Sequence, residues 1–137
     1  MELVTHKKLY LVAGRISRPL AESIAAELGE SLGEPNLADF SNGEIHCRFS
    51  ESIRGSDAFI IQTHCHSDDM SINDALMEHL IMVDAARRAS AKRITVVCPH
   101  YGYARQDRKA SGREPITAKL VANLFKEAGA SRLVSVD

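Results

Sequence analysis

The feature that most limits what this chain can fold into is an alternation of two apolar periods. Short apolar runs of strand length are separated by longer stretches whose apolar residues recur at helical spacing. Residues 9–13 (LYLVA) end at Gly14 and lead into RPLAESIAAEL, where Leu20, Ile24, Ala25 and Leu28 keep that spacing before Gly29. The pattern then returns twice. Residues 58–63 (AFIIQT) and the apolar run within 94–98 bracket a helix that opens near Ser71, whose spacing to Asp74 is that of a capping box, and ends near Ser90. Leu76, Met77, Leu80, Ile81, Val83, Ala85 and Ala86 give this helix a broad apolar face, so it is expected to be mostly buried. Arg87 and Arg88 suit the negative end of its dipole. In EPITAKLVANLFKEAGA, Pro115 suits a first turn, Ile116, Leu120, Val121, Leu124 and Phe125 share a face, and Gly129 stops the helix. RLVSVD closes the chain as a strand.

Strands alternating with helices imply an α/β fold with a mainly parallel sheet flanked by helices. One segment departs from the alternation. In EPNLADFSNGEIHCRF the pair Asn42-Gly43 lies between Leu37, Asp39 and Phe40 on one side and the alternating Ile45, Cys47 and Phe49 on the other, a hairpin signal. This inserted antiparallel hairpin is expected to add an edge to the sheet. With 137 residues, 45% hydrophobic and 26% charged, and no repeat or linker composition, residues 1–137 are expected to form a single domain.

A net charge of −1 gives no bulk electrostatic reason to expect nucleic acid or an acidic membrane as partner. Three cysteines, Cys47, Cys65 and Cys98, without Cys-x-x-Cys spacing, suggest neither a disulfide framework nor a zinc ribbon, and Cys47 and Cys98 read as small buried hydrophobes. The start, MELVTHKKLYLVAG, has an apolar run too short for a signal peptide or a membrane span. A reducing, cytoplasmic setting is therefore expected.

Charge is nonetheless concentrated in one place. PHYGYARQDRKASGR, residues 99–113, holds two of the three tyrosines. It carries Arg105, Arg108, Lys109 and Arg113 against Asp107 alone, a net of +3, which leaves −4 for the rest of the chain. The stretch has neither apolar period, and it connects a strand to a helix where two to six residues are usual. Ligands of open α/β sheets bind at the carboxyl ends of the strands, in loops of this kind. Arginine forks, a lysine charge and tyrosines suit a polyphosphate; a solvated surface loop with incidental charge is the competing reading.

Other stretches carry weaker signals. Gly14 follows a strand, but GRISRP lacks the further glycines of a dinucleotide fingerprint, and no P-loop motif occurs. THCHSDD gathers His64, Cys65, His66, Asp68 and Asp69. Adjacent residues at a strand end point in opposite directions, so a polar loop beside the ligand end is favoured over a metal site. In DFSNGEIH the turn chemistry accounts for Asn42-Gly43, while Phe40 on a flat base, with Asn42 and Glu44 at its edge, is the binding alternative.

Taken together, FSNGE, ESIRGSDAFIIQ, LMEHLIMVDAARRASAKRITVVCPHYGYARQDRK and REPITAKLVANLFKEAGASRLVSVD resemble ribose-phosphate pyrophosphokinase, also called phosphoribosyl pyrophosphate synthetase. The resemblance runs from about Leu9 to Asp137, and YGYARQDRK followed by REPITAKL is its most specific part. It implies a phosphoribosyltransferase-like fold and a transferase that moves the diphosphoryl group of Mg-ATP to ribose 5-phosphate, giving phosphoribosyl pyrophosphate and AMP for nucleotide biosynthesis. Arg105, Gln106, Asp107 and Lys109 would meet ATP, with Phe40, Asn42 and Glu44 reaching the adenine from a neighbouring subunit of a homo-oligomer. Ser52, Arg54 and Arg113 match a regulatory anion site at a subunit interface.

The resemblance also implies what is missing. Family members are about twice as long, and the magnesium ligands, the diphosphate loop, the catalytic lysine and arginine, and the ribose 5-phosphate loop lie beyond Asp137. This sequence thus reads as a truncated N-terminal domain, expected to contribute to an ATP site while holding no complete catalytic set and no metal ligands, and to be inactive alone. A catalytically dead regulatory or scaffolding nucleotide-binding module is the alternative. A nucleic-acid binder using the basic loop is a weaker one, since +3 offers few phosphate contacts.

Overall fold

The computed structural model describes residues 8–136. The start of the chain, residues 1–7, and Asp137, the last residue of the expected closing strand, lie outside the described residues. Strand β1 (Leu9–Ala13) passes through one 3₁₀ turn (Arg15–Ser17) into helix α1 (Arg18–Leu28). The hairpin strands β2 (Pro35–Asp39) and β3 (Ile45–Phe49) follow, then β4 (Asp57–Ile61), α2 (Ile72–Arg88), β5 (Arg93–Cys98), α3 (Thr117–Ala128) and β6 (Arg132–Ser135). Four strands form one parallel sheet in the order β1-β4-β5-β6.

The central strands read as continuous apolar runs because helices pack on both of their faces, although on the α1 side Ala21 covers Ala13 and Ile61 while Phe59 and Val97 stay half-buried. Val12, Ile60 and Val96 are fully buried, and Met82, Val83 and Ala86 of α2 and Val121 and Phe125 of α3 close over them. Helix α2 starts where the capping box requires. The Ser71 hydroxyl accepts from the Asp74 amide at 3.0 Å, and the Asp74 carboxylate accepts from the Ser71 amide at 2.9 Å, satisfying two of the free donors of the first turn.

Several expectations need correction. The hairpin does not extend the main sheet; β2 and β3 form a two-stranded sheet of their own. Leu37, Cys47 and Phe49 turn one side of it against the core, and the Phe49 ring meets Tyr10 edge-on at 5.9 Å. Burying that side holds the hairpin across the core instead of in line with the strands. In α1 the inward stripe is Ala21 and Ala25, while Leu20 and Leu28 face out. In α3 Val121 and Phe125 go in, and Leu120 and Leu124 stay exposed. Met77 likewise sits outside the apolar face of α2. Pro115 precedes the N-cap residue Ile116, so it ends the loop and does not open the helix. Cys98 is buried as expected, whereas Cys47 is half-buried. Among the described residues no helix is long and apolar enough to cross a membrane.

Because the sheet is parallel, the connections 14–17, 62–71 and 99–116 all emerge from one edge, at the carboxyl ends of β1, β4 and β5.

Candidate nucleotide-binding loop

The base of the 99–116 connection is fastened from several sides. The His100 amide donates to Thr63 Oγ1 at 3.1 Å, and the His64 amide to the His100 carbonyl at 2.9 Å, which continues the β4–β5 pairing past the sheet. The Tyr101 hydroxyl donates to the Ala118 carbonyl at 2.7 Å, the Gly102 amide to His64 Nδ1 at 2.9 Å, and the Tyr103 hydroxyl to Asn73 Oδ1. The Gln106 amide donates to the Tyr103 carbonyl at 2.9 Å, and the Ala118 amide to the Gln106 carbonyl at 3.0 Å. Tyr103 is held at φ 67°, a left-handed conformation that a tyrosine adopts only when its surroundings impose it.

Beyond this base the loop tip is exposed, and Glu114 organises it. Its carboxylate accepts from the Ser111 hydroxyl at 2.9 Å and from the amides of Ala110 and Ser111 at 3.0 and 3.2 Å, and these bonds hold its carboxyl below the usual range. Arg105, Gln106, Asp107, Arg108, Lys109 and Arg113 are all exposed. Among the described residues none of the four loop cations has a carboxylate partner, as holds for most other cations outside the loop; Arg15, Arg18 and Arg88 are the paired ones. Arg105 and Gln106 also line an open cavity of about 370 Å³, together with Tyr101, Tyr103, Ile72 and Asn73. An anion beside an aromatic wall is what this arrangement accommodates.

The other sequence-selected residues lie elsewhere. In the hairpin turn, Gly43 takes φ 93°, as its glycine allows, and the Asn42 and Glu44 side chains engage each other. Asn42 Nδ2 donates to Glu44 Oε1 at 2.6 Å, and the Glu44 amide donates to Asn42 Oδ1 at 3.0 Å. Phe40 is 55% exposed, its ring edge-on to His46 at 5.6 Å. No hydrogen bond or ion pair among the described residues joins this turn to the 99–113 loop. Ser52 and Arg54 are exposed just before β4, at the amino-terminal edge of the sheet. Arg113, in the left-handed region at φ 66°, belongs to the loop at the opposite edge.

Two buried polar networks support the loop edge, and the sequence pattern revealed neither. Glu78, fully buried on α2, accepts from the Arg15 amide at 3.1 Å, from Arg15 Nε at 2.6 Å and from Gln62 Nε2 at 2.7 Å. The other end of the Arg15 guanidinium grips Asp39 at 2.8 and 3.2 Å, which pins the root of the hairpin. The bond to Asp39, and then the contact with Glu78, raise the guanidinium pKa further, and Arg15 lowers that of Asp39. Gly14 has a steric purpose here, since a Cβ on it would lie 2.3 Å from the Gln62 side chain.

The second network is a pair of histidines. Of THCHSDD only His64 turns fully inward; Cys65 is half-buried, and His66, Asp68 and Asp69 are exposed. His64 Nε2 lies 3.0 Å from His79 Nδ1, and His79 Nε2 lies 2.8 Å from the Ile60 carbonyl. Burial pushes His64 down to about 4, with His100 adding to the effect, and burial and then His64 push His79 down to about 3, so both rings are neutral near pH 7. Cys98 Sγ sits 3.8 and 3.9 Å from the two rings, its thiol pushed up to about 12 by burial.

Three metal-capable atoms within 4.8 Å invite a metal, and the hydrogen bonds argue against one. His64 Nδ1 accepts from Gly102, so in a neutral ring Nε2 carries the proton; a metal there would require an imidazolate. Nor does this nitrogen and sulfur set fit magnesium, which takes oxygen ligands.

Comparison with known proteins bears on this arrangement. Residues 9–129 match the family model described as the N-terminal domain of ribose phosphate pyrophosphokinase. A ribose-phosphate pyrophosphokinase of Bifidobacterium longum is 53% identical over 131 residues, covering 96% of this chain and 37% of the relative. Ribose-phosphate pyrophosphokinase 2 of Enterococcus faecalis is 56% identical over 121 residues, covering 88% of this chain and 36% of the relative. The crystal structure of phosphoribosylpyrophosphate synthetase from Mycobacterium smegmatis superposes with a TM-score of 0.89 at 54% identity, covering 96% of this chain and 43% of that one. The chain thus spans well under half the length of these relatives. On this evidence the chain belongs to the ribose-phosphate pyrophosphokinase family and corresponds to its N-terminal domain.

Proposed function

We propose that this chain is the single N-terminal domain of a ribose-phosphate diphosphokinase, and that it supplies the nucleotide loop of a site completed by other segments and subunits. The reaction is the transfer of the β,γ-diphosphoryl group of Mg-ATP to the 1-hydroxyl of ribose 5-phosphate, with release of AMP. Arg105 and Lys109 take the triphosphate, while Gln106 and Asp107 hydrogen-bond the nucleotide. Phe40, Asn42 and Glu44 of a second copy reach the adenine. The observation that supports this most is a loop whose base is tightly bonded while its cationic tip is exposed, with Arg105 and Gln106 lining an open cavity beside Tyr101 and Tyr103. Phosphoryl transfer depends mainly on positioning and on charge neutralisation, and an exposed cationic tip on a fixed root suits both.

Magnesium would arrive with the nucleotide, its remaining ligands coming from outside these residues. A homo-oligomer is part of this reading, with the hairpin turn of one copy meeting the loop of another, and the regulatory anion site assigned to Ser52, Arg54 and Arg113 would form only between subunits. The setting proposed is the cytoplasm. Alone, the chain is expected to bind ATP weakly and to perform no transfer.

Titrating ATP into the chain and into an Arg105→Ala, Lys109→Ala variant tests the nucleotide role. Removal of two charge-assisted contacts is expected to weaken binding by at least about tenfold. Equal affinity would remove the role, and steady AMP release from the chain with Mg-ATP and ribose 5-phosphate would overturn its inactivity.

A further inference from the structure

The loop just described is fastened at Gly102 by a side chain, and that side chain is itself held by another. Going from loop to sheet, the Gly102 amide donates to His64 Nδ1, leaving the His64 proton on Nε2, where it is donated to His79 Nδ1. The His79 proton is then on Nε2 and is donated to the Ile60 carbonyl. The direction of every bond follows from the first, because an amide can only donate. Two neutral imidazoles thus form a continuous chain of hydrogen bonds from a loop amide to a backbone carbonyl of β4.

The surroundings fix both rings. His64 lies parallel to the Phe125 ring, with 6° between planes and centroids 5.9 Å apart, and His79 meets the same ring at 71° and 5.0 Å. Both histidines are wholly buried. The Gly102 backbone presses so closely on His64 that a Cβ there would come within 2.9 Å of His64 Cβ. From the elements packed against the pair, the titratable groups are Cys98 on β5 and His100 and Tyr101 on the loop.

We propose that His64 and His79 act as a two-imidazole strut that positions the nucleotide loop, His64 by holding the Gly102 amide and His79 by fixing the tautomer and orientation of His64. Both are positioning residues, since neither reaches the exposed cations. Gly102 lies three residues before Arg105, and Tyr103 between them is kept in a left-handed conformation, so a shift at Gly102 carries directly into the direction of Arg105. Arginine recognition of phosphate depends on direction, and misplacement by a fraction of an ångström weakens it.

This role rests on the reading of the loop as a nucleotide site, and the two can be tested apart. Nitrogen-15 imidazole spectra of the unmodified chain should show both rings as the Nε2–H tautomer; a proton on His64 Nδ1 would overturn the strut without any mutation. In His64→Phe, which keeps the ring against Phe125, exchange of the Gly102 amide should accelerate at least about tenfold while amides of β1 keep their protection. ATP affinity should fall with it. His79→Gln can still accept from His64 and donate to Ile60, so it should stay near the parent in both readouts, whereas His79→Leu should resemble His64→Phe. Unchanged Gly102 exchange in His64→Phe, identical behaviour of His79→Gln and His79→Leu, or full ATP affinity with a loosened Gly102 would each overturn the proposal. If the unmodified chain binds no ATP, the nucleotide reading fails and the tautomer and exchange results judge the strut by themselves.

Discussion

Mild acid, between pH 7 and 5, should destabilise this protein mainly through two residues. His64 and His79 are neutral when folded, with pKa values lowered to about 4 and about 3, against an ordinary 6.5 in the unfolded chain. Below pH 6.5 the unfolded state therefore binds protons that the folded state refuses, and stability falls as pH falls. The contribution is fully present above about pH 6.5 and is lost progressively down to about 4 for His64 and about 3 for His79. At pH 5 the loss is about 2 kcal/mol per histidine, or about 4 kcal/mol for the pair. Against a typical domain stability of about 5–15 kcal/mol that is a large fraction. Urea unfolding followed by circular dichroism between pH 7.5 and 4.5 should show the midpoint dropping by about 2 M between pH 7 and 5, for a slope of roughly 2 kcal/mol per M. A variant carrying His64→Phe and His79→Leu should lose most of this pH dependence whatever its stability at pH 7. A parent midpoint that stays flat from pH 7 to 5, or an equally steep fall in the double variant, would refute the reasoning.

The remaining expectations concern packing and caps. Glu78→Ala leaves the Arg15 guanidinium, the Arg15 amide and the Gln62 amide group without their shared acceptor, and should cost about 3–5 kcal/mol by urea unfolding. Ser71→Ala removes the acceptor for the Asp74 amide and should cost about 1 kcal/mol without changing ATP affinity. Gly102→Ala, whose Cβ would meet His64, should lower ATP affinity by at least about tenfold, read by calorimetry alongside the parent.

What the sequence disclosed depended on how local the information was. The capping box of α2 is a three-residue relation, Asn42-Gly43 a two-residue one, and the strand runs are contiguous, so each could be seen without knowing the fold. The +3 loop was visible because strand and helix flank it directly. The hairpin's separate sheet was not, because it depends on Phe49 meeting Tyr10 and on Arg15 gripping Asp39, contacts across 39 and 24 residues. Periodicity placed Ala25, Val121 and Phe125 inward correctly but misjudged their neighbours: Leu20 and Leu120 fit the same stripes in sequence, yet both stay exposed, and the small Ala21 takes the inward place in α1. Glu78 and His79 were hidden in the middle of the best apolar helix, where a reading by hydropathy treats polar residues as interruptions. Their partners Arg15, Gln62 and His64 lie on other elements, and only the folded chain shows that these interruptions are satisfied and fasten the loop edge.

The central claim is that residues 99–113 of this chain receive the triphosphate of ATP. Backbone amide shifts of the nitrogen-15-labelled chain during ATP titration test it most directly. The largest saturable shifts are expected at Arg105, Gln106, Asp107 and Lys109, with much smaller ones for adenosine and loss of the effect when Arg105 and Lys109 are replaced by alanine. Shifts centred on another surface, or equal shifts with adenosine and ATP, would contradict it.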